Sequence, residues 1–236
     1  MTGTLINAAS ILLGGALGLL LGSRIPARLR ETVIAGLGLF TTAFGIKMFL
    51  TTQNSLAVLG SLLIGVLLGE WWRIEDGIKR LGEWLNLRFA RQAGPEGSSR
   101  FIIGCFTSSL LFCIGPMAIL GSIQDGLTGD YQTLVIKSIP YGFAALAFAS
   151  SMGVGVLFSA GMVFLYQGSI SLLASQVQAV VSDAMMVEMS AVGGVILIAI
   201  GISNLLEIKQ IRTGNFLPAL IIAPIMVLVM QAVGVY

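Results

Sequence analysis

Residues 101–121 read FIIGCFTSSLLFCIGPMAILG, and this stretch decides the fold. It carries no charged side chain and matches the length of about 20 apolar residues that crosses a bilayer as one α-helix. Gly115 and Pro116 interrupt it, and because proline lacks an N–H, a carbonyl one turn earlier loses its helical partner. We therefore predict either a broken membrane span that presents backbone groups to a solute, or a kinked span satisfied by the hydroxyls of residues 107–109.

The rest of the chain has the same character. Of its 236 residues, 56% are apolar and 10% charged, whereas about a quarter of an ordinary soluble domain is charged. A net charge of +2 does not suit phosphate binding, so we expect no nucleic-acid partner and no soluble enzyme. The composition predicts an all-α polytopic integral membrane protein that is embedded in the lipid bilayer. Its 30 glycines indicate closely packed helices.

About eight segments are long and apolar enough to span the membrane. They are residues 5–22, 33–51, 55–72, 101–121, 133–151, 154–175, 188–206 and 216–234. We predict a single membrane domain over residues 1–236. Its parts are the first three spans (1–72), a cytoplasmic amphipathic helix and hinge (73–100), a central pair of spans (101–152) and the last three spans (153–236).

The basic residues indicate the orientation of these spans. With eight spans, every Lys and Arg except Lys47 and Lys137 lies in a loop on one side of the membrane. Such loops stay in the cytoplasm, so both termini are predicted to lie outside. A seven-span chain would place Lys209 and Arg212 on the opposite side, and we therefore prefer eight spans.

Residues 73–91 have the pattern of an amphipathic helix. Ile74, Ile78, Leu81 and Leu85 repeat at helical spacing, and nearby tryptophans suit the headgroup region. We predict a helix lying on the inner membrane surface, or alternatively a helix that docks a partner protein. Residues 92–100 are predicted to form a flexible hinge before the fourth span.

Two pairs of spans resemble each other. Six residues of 33–50 recur without a gap in 189–206, and with a two-residue shift the third and eighth spans also match. The matched glycines are Gly38 with Gly194 and Gly45 with Gly201. Copies that are five crossings apart run in opposite directions, which indicates an inverted repeat with a site between the copies near the midplane. The alternative is two Gly/Ala-rich packing helices that are alike in composition.

Polar groups inside the bilayer are costly and mark a candidate pathway for a substrate or ion. The candidate residues are Gly115, Pro116, Asp125, Lys137, Gln167 and Asn204. Asp125 either attracts cations at the outer face or caps a turn. Lys137 either extends outward, pairs with Asp125, or faces the interior and contacts an anion. Gln167 and Asn204 either bond across helices or coordinate an ion.

The sequence contains no catalytic set. Histidine is absent, and there is no nucleophile with a base, no metal-ligand cluster and no phosphate loop. We therefore predict that the protein is not an enzyme and binds no cofactor or metal. Its expected partner is a small solute or ion, and its small-residue faces are compatible with a homodimer.

Several motifs carry a family likeness over nearly the whole chain. They are residues 109–113 (SLLFC), 115–119 (GPMAI), 121–127 (GSIQDGL), 137–138 (KS), 153–160 (GVGVLFSA), 167–169 (QGS), Gly3-Thr4 with Asn7, and Gly193-Gly194 with Gly201. Together they resemble the bacterial membrane family catalogued as domain of unknown function 554. The resemblance implies a multi-pass protein of the bacterial cytoplasmic (inner) membrane and brings no established substrate.

One departure from that family pattern concerns a carboxylate. Where the resemblance implies an aspartate after Lys137-Ser138 and an apolar pair, this chain has Tyr141. Any proton- or cation-coupling role of that aspartate does not carry over to Tyr141.

Two functions fit these observations. The first is a small secondary transporter or ion-conducting protein with a midplane site between inverted repeats. The second is a non-transporting scaffold or sensor that acts through the amphipathic helix. A wet polar path favours transport, whereas a dry bundle packed by Gly and Ala favours the scaffold.

Overall fold

The computed structural model describes residues 1–22, 26–85, 95–113 and 116–234, and all regular secondary structure in these ranges is helical. The helices are α1 (Thr2–Gly22), α2 (Ala27–Phe49), α3 (Ser55–Trp72), α4 (Ile74–Leu85), α5 (Pro95–Cys113), α6 (Pro116–Leu127), α7 (Gln132–Met152), α8 (Gly155–Leu172), α9 (Ala174–Val180), α10 (Asp183–Ile200) and α11 (Pro218–Val233). A π-helical turn (Gly201–Leu205) extends α10, and a 3-10 turn (Thr213–Phe216) precedes α11. The predicted all-α membrane fold is confirmed.

Within the described ranges, seven helical segments are long and apolar enough to cross a membrane. They are Thr2–Gly22, Glu31–Phe49, Ser55–Trp72, Gln132–Met152, Gly155–Leu172, Asp183–Leu205 and Thr213–Val233. The segments Ser99–Cys113 and Met117–Leu127 meet at 64° and together provide an eighth. These segments coincide with the eight predicted spans to within a few residues.

The bent pair α5–α6 runs alongside α8 from one end to the other. Near the start of α8, a Cβ on Gly155 would overlap the carbonyl of Phe101 in α5. Near its other end, the carbonyl of Ser171 lies against Gly126 of α6. Because α8 is about 27 Å long at 1.5 Å per residue, α5 and α6 together cover the same depth. This arrangement matches the predicted broken span, and the described ranges contain seven or eight helical segments able to cross a membrane.

The helices form two compact units, each assembled from two separate parts of the chain. The first unit comprises residues 1–37 and 81–180, and the second comprises 38–80 and 181–236. The first contains α1 and α5–α9, and the second contains most of α2, α3 and the start of α4 together with α10 and α11. The predicted single membrane domain stays a prediction.

In the first unit, α1 and α7 run parallel with almost no side chains between them. Gly14, Gly18 and Gly22 lie one turn apart on α1 and pack against successive carbonyls of α7, those of residues 142, 146 and 150. A Cβ at any of the three glycines would collide with these oxygens. The glycine spacing of four seen in the sequence thus indicates close helix packing, as predicted.

In the second unit, α2 and α10 cross antiparallel through two glycine contacts. Gly45 and Gly194 each lie against the carbonyl of the other, and Gly201 lies against the carbonyl of Gly38. A second antiparallel pair, α3 and α11, approaches at Gly65, which faces the backbone of Ala219. Helix ends are capped conventionally, for example by the Asn54 side chain, which accepts from the N–H of Leu56 at 3.1 Å.

Four boundaries differ from the predictions. The predicted hinge 92–100 overlaps α5, which begins at Pro95. The predicted loop 122–132 is helical to Leu127, and the predicted loop 176–187 contains most of α9 and the start of α10. The amphipathic helix predicted over 73–91 is observed as Ile74–Leu85, and residues 86–94 lie outside the described ranges. Apolar length locates a span well but not the polar turn at its end, where local hydrogen bonds decide.

Candidate functional site

Pro116, at the start of α6, leaves one carbonyl of α5 without a helical donor. In an α-helix the N–H of residue 116 would bond to the carbonyl of Phe112, but Pro116 has no N–H. The ammonium of Lys137 donates to this carbonyl instead, with Nζ–O at 3.2 Å. The carbonyl of Leu111, one residue before Phe112, accepts a hydrogen bond from the Tyr141 hydroxyl at 3.3 Å. Two side chains of α7 therefore stabilise the end of α5, where the helix dipole favours a cation.

Lys137 is buried inside the first unit. Only 6% of it is exposed, and its Nζ lies 4.6 Å from the centre of the Tyr141 ring. The prediction that it extends outward is therefore wrong, and so is the prediction that it pairs with Asp125. In the part of the chain that the structure describes, no ion pair joins Lys137 to a carboxylate. Of the three predicted roles, only an interior position fits.

Asp125 lies in the last turn of α6 and is buried. Its carboxylate accepts the backbone N–H groups of Gly3 at 3.1 Å and Thr4 at 3.4 Å, and it pairs with the Met1 amino group at 3.0 Å. A carboxylate at a helix N-terminus is favourable because unpaired N–H groups and the helix dipole both attract it. Asp125 thus anchors the start of α1, and it is not an exposed vestibule for cations.

Gln167 forms a hydrogen bond across helices, which was one of its two predicted roles. Its partner is Asn7 and not Asn204. The Asn7 amide in α1 donates to Gln167 Oε1 in α8 at 3.1 Å, and both residues are fully buried. Thr4 lies three residues before Asn7 on the same face of α1 and is also fully buried. Asn204 lies in the second unit, where its amide approaches the Thr213 hydroxyl at 3.5 Å.

The two groups of polar residues in the first unit are neighbours. One turn beyond Asn7, the Ser10 hydroxyl donates to the carbonyl of Ser138 at 2.7 Å. Ser138 follows Lys137 directly in α7. The structure therefore brings Asp125, Lys137 and Gln167 into one unit around α1, with Pro116 at the start of α6. Gly115 lies outside the described residues.

Several buried polar atoms of the first unit lack a hydrogen-bond partner within the described ranges. They are Thr4 Oγ1, Asn7 Oδ1, Thr107 Oγ1, Ser151 Oγ and Gln167 Nε2. Thr4 lies near the start of α1, and Ser151 directly follows Ser150, the residue of α7 that contacts Gly22 near the end of α1. The unpartnered atoms thus extend over about 27 Å, the length of 18 helical residues. Buried polar atoms are normally paired with protein or water.

Two carboxylates of the second unit accept backbone N–H groups, and one of them is fully buried. Glu188 in α10 is fully buried and accepts the Thr52 hydroxyl at 2.6 Å. It also accepts the N–H groups of Gln53 at 2.9 Å and Asn54 at 3.0 Å, which lie just before α3. On α4, Glu75 accepts the N–H of Gly214 at 2.7 Å. Both carboxylates thus hold loops of the second unit in place.

Three of these positions were missed as site residues by sequence reasoning. Thr4 and Asn7 are polar residues in an apolar span, three apart, and this spacing was a usable signal. Glu188 is a lone carboxylate near the start of an apolar span, and its cost in lipid was a second signal. The partner of each residue depends on long-range packing that spacing does not encode.

These features define a polytopic α-helical membrane protein in which one unit contains a broken span and a buried polar cluster. A family model described as "Protein of unknown function (DUF554)" matches residues 2–228. The chain belongs to this family, and the resemblance drawn from the central motifs is confirmed.

Two relatives cover nearly the whole chain. The "Uncharacterized protein YqgA" of Escherichia coli (strain K12) is 32% identical over 221 residues, which are 94% of each chain. The "Uncharacterized membrane protein YdfK" of Bacillus subtilis (strain 168) is 30% identical over 238 residues, which are 99% of each chain. No solved structure gives a significant match.

Proposed function

We propose that the protein is a small secondary transporter or ion-conducting membrane protein whose pathway runs through the first unit. The unpartnered polar atoms between Thr4 and Ser151 carry this proposal. Each such atom is costly in a bilayer unless water or a solute satisfies it. A transport pathway supplies that water, whereas a dry scaffold gains nothing from these groups. The broken span supports the same function, because interrupted helices present backbone groups to solutes.

We also propose that α2–α3 and α10–α11 are inverted repeats. Gly38 and Gly45 align with Gly194 and Gly201, so a two-fold relation between the copies pairs a contact of Gly38 with Gly201 with an equivalent contact of Gly194 with Gly45. Both contacts are present. Most of the unpartnered polar atoms of the described residues lie in the first unit, whereas the Thr41 hydroxyl lies in the second. The proposal therefore places the pathway in the first unit and gives the repeat a packing role.

We propose the bacterial inner membrane as the location, with both termini outside. The basic loops support this orientation, and the unpaired buried groups support transport over catalysis. One observation favours the alternative of a scaffold or sensor. Glu75 ties the start of α4 to the loop before α11, while Trp71, Trp72 and Trp84 remain exposed around α4. This surface suits a helix that reports to a partner or to the membrane.

Currents measured on a solid-supported membrane test the proposal. Proteoliposomes are exposed to jumps in a panel of ions and small metabolites, with wild type, Gln167→Ala and Gln231→Ala compared. Gln231 is an exposed glutamine of α11 and serves as the matched control. Transport predicts a solute-dependent current that Gln167→Ala reduces and Gln231→Ala preserves. Folded, inserted protein without current across the whole panel contradicts transport and favours the scaffold.

A further inference from the structure

Three charged side chains are buried in the part of the chain that the structure describes: Asp125, Lys137 and Glu188. The two carboxylates are matched by donors. Asp125 accepts the N–H groups that open α1 and pairs with the Met1 amino group. Glu188 accepts three hydrogen bonds from residues 52–54. Lys137 differs from both because, within this part, no group of opposite full charge lies beside it.

The surroundings of Lys137 compensate its charge only in part. An ammonium has three N–H donors, and the Phe112 carbonyl accepts one of them. The Tyr141 ring offers its π-face to the same ammonium, and its hydroxyl is engaged with Leu111. A helix C-terminus contributes about half a negative charge. Among the described residues, these contacts offer the ammonium a carbonyl dipole and a ring face but no carboxylate.

The helix that follows begins close in sequence to the carbonyl that Lys137 contacts. Pro116 starts α6 three residues after α5 ends, and the first N–H groups of a helix have no partners within it. The positive end of α6 therefore lies on the same broken span as the carbonyl that Lys137 contacts. An unpaired cation inside a bilayer is costly, and a bound anion removes that cost.

We propose that a small monovalent anion binds at the Lys137 ammonium beside the break between α5 and α6. This inference rests on the proposed transport function, in which the anion is the transported or co-transported ion. A single fixed positive charge matches a single negative charge. A cation is repelled at this position, and a neutral solute leaves the charge uncompensated.

Ion-replacement currents test the anion. At constant sodium, gluconate is replaced by chloride, nitrate, formate or acetate, and at constant gluconate, sodium is replaced by potassium. Wild type, Lys137→Gln, Lys137→Arg and Lys47→Gln are compared, Lys47 being an exposed lysine of α2. We expect anion-dependent currents that Lys137→Gln lowers about tenfold or more, because a buried charge partner is lost. Lys137→Arg retains part of the current, and Lys47→Gln leaves it unchanged.

The outcomes separate this inference from the proposed function. Currents that depend only on cations or neutral solutes, or anion currents that Lys137→Gln leaves intact, overturn the anion site while transport stands. Absence of any current overturns transport.

Thermal unfolding in detergent tests binding without transport. Bound anion stabilises the folded protein, so chloride or acetate in place of gluconate raises the Tm of wild type and Lys47→Gln. The shift is lost in Lys137→Gln. If that variant does not fold, a reduced shift in Lys137→Arg supports the site, and an unchanged shift in that variant overturns it. No shift in wild type also overturns it.

Discussion

At the scale of single residues, a defect in one helix is compensated by side chains of another. Pro116 removes the donor for the Phe112 carbonyl, and Lys137 replaces it. The Tyr141 hydroxyl donates to the carbonyl of Leu111, and the Tyr141 ring covers the ammonium. The tyrosine that stands where the family resemblance implies an aspartate therefore has a structural role of its own. It leaves Lys137 without a carboxylate one turn away.

Asp125→Ala tests the anchor at the start of α1. The substitution removes the acceptor of two backbone N–H groups and leaves them buried without a partner. A hydrogen bond to a charged group contributes about 1.5–3 kcal/mol to stability. We therefore expect a loss of roughly 2 kcal/mol in the free energy of unfolding. Denaturant unfolding of the purified protein measures it. Asp130→Ala, at an exposed position, is the control, and an equal effect of both variants contradicts the anchoring role.

Residue types were predictable at this scale, but their partners were not. The sequence marks Gln167, Lys137 and Asp125 as unusual because each is polar near or within an apolar segment. Whether Lys137 points outward or inward depends on the Phe112 carbonyl, which lies on a different helix. The partner of Gln167 is Asn7, and the two are separated by 160 residues.

At the scale of helices, glycine spacing decides which faces meet. Gly14→Ala places a methyl group against the carbonyl of Gly142 and forces α1 and α7 apart. Overpacking of this kind costs about 1–3 kcal/mol. Gly161→Ala is the matched control, because a Cβ there meets nothing within 4 Å. Unfolding in detergent is the measurement, and a stable Gly14→Ala variant contradicts the observed helix contact.

The break itself is testable through its proline. Pro116→Ala restores an N–H that competes with Lys137 for the Phe112 carbonyl. In the interior of a continuous helix, proline is less favourable than alanine by about 3 kcal/mol. We expect a straighter fourth span, a protein that is at least as stable, and reduced transport current. Pro224→Ala, in α11 of the second unit, serves as the control. Full current in Pro116→Ala contradicts a role for the break in transport.

Helix positions could be predicted well because a bilayer demands a fixed length of apolar chain. The ends were harder. Residues 122–127 contain Ser, Gln, Asp and Gly, which favour turns, yet they complete α6. The Ser122 hydroxyl bonds back to the Ala118 carbonyl, and Ser171 donates to the Ser122 carbonyl. These contacts satisfy polar groups that the sequence pattern alone assigns to a loop.

At the scale of the whole molecule, the distribution of basic residues predicts the orientation. In a variant in which Cys105 and Cys113 are replaced by Ala, Asp130→Cys and Lys209→Cys place single thiols in loops on opposite sides of the membrane. A membrane-impermeant maleimide applied to intact cells is expected to label position 130, and to label position 209 only after permeabilisation. The reverse pattern contradicts the proposed orientation with both termini outside.

The division into two units was not predictable from the sequence. Each unit combines distant segments, and the boundary near residue 37 lies inside α2 without any change in composition. The repeat between residues 33–50 and 189–206 was visible because identical glycines recur. The sequence does not indicate which glycines touch. In the structure, Gly45 contacts Gly194 and Gly201 contacts Gly38.

The proposed transport function requires water to reach the unpartnered polar atoms of the first unit. Thiol accessibility in proteoliposomes tests it most directly, with Thr107→Cys and Ser61→Cys compared in the variant that lacks the native cysteines. Both native residues are fully buried, but Thr107 has an unpartnered hydroxyl whereas Ser61 bonds to Ala57 at 2.6 Å. N-ethylmaleimide needs a thiolate, which forms only in contact with water. We expect modification of position 107 to be about tenfold or more faster than that of position 61. Equal, negligible modification of both positions would contradict it.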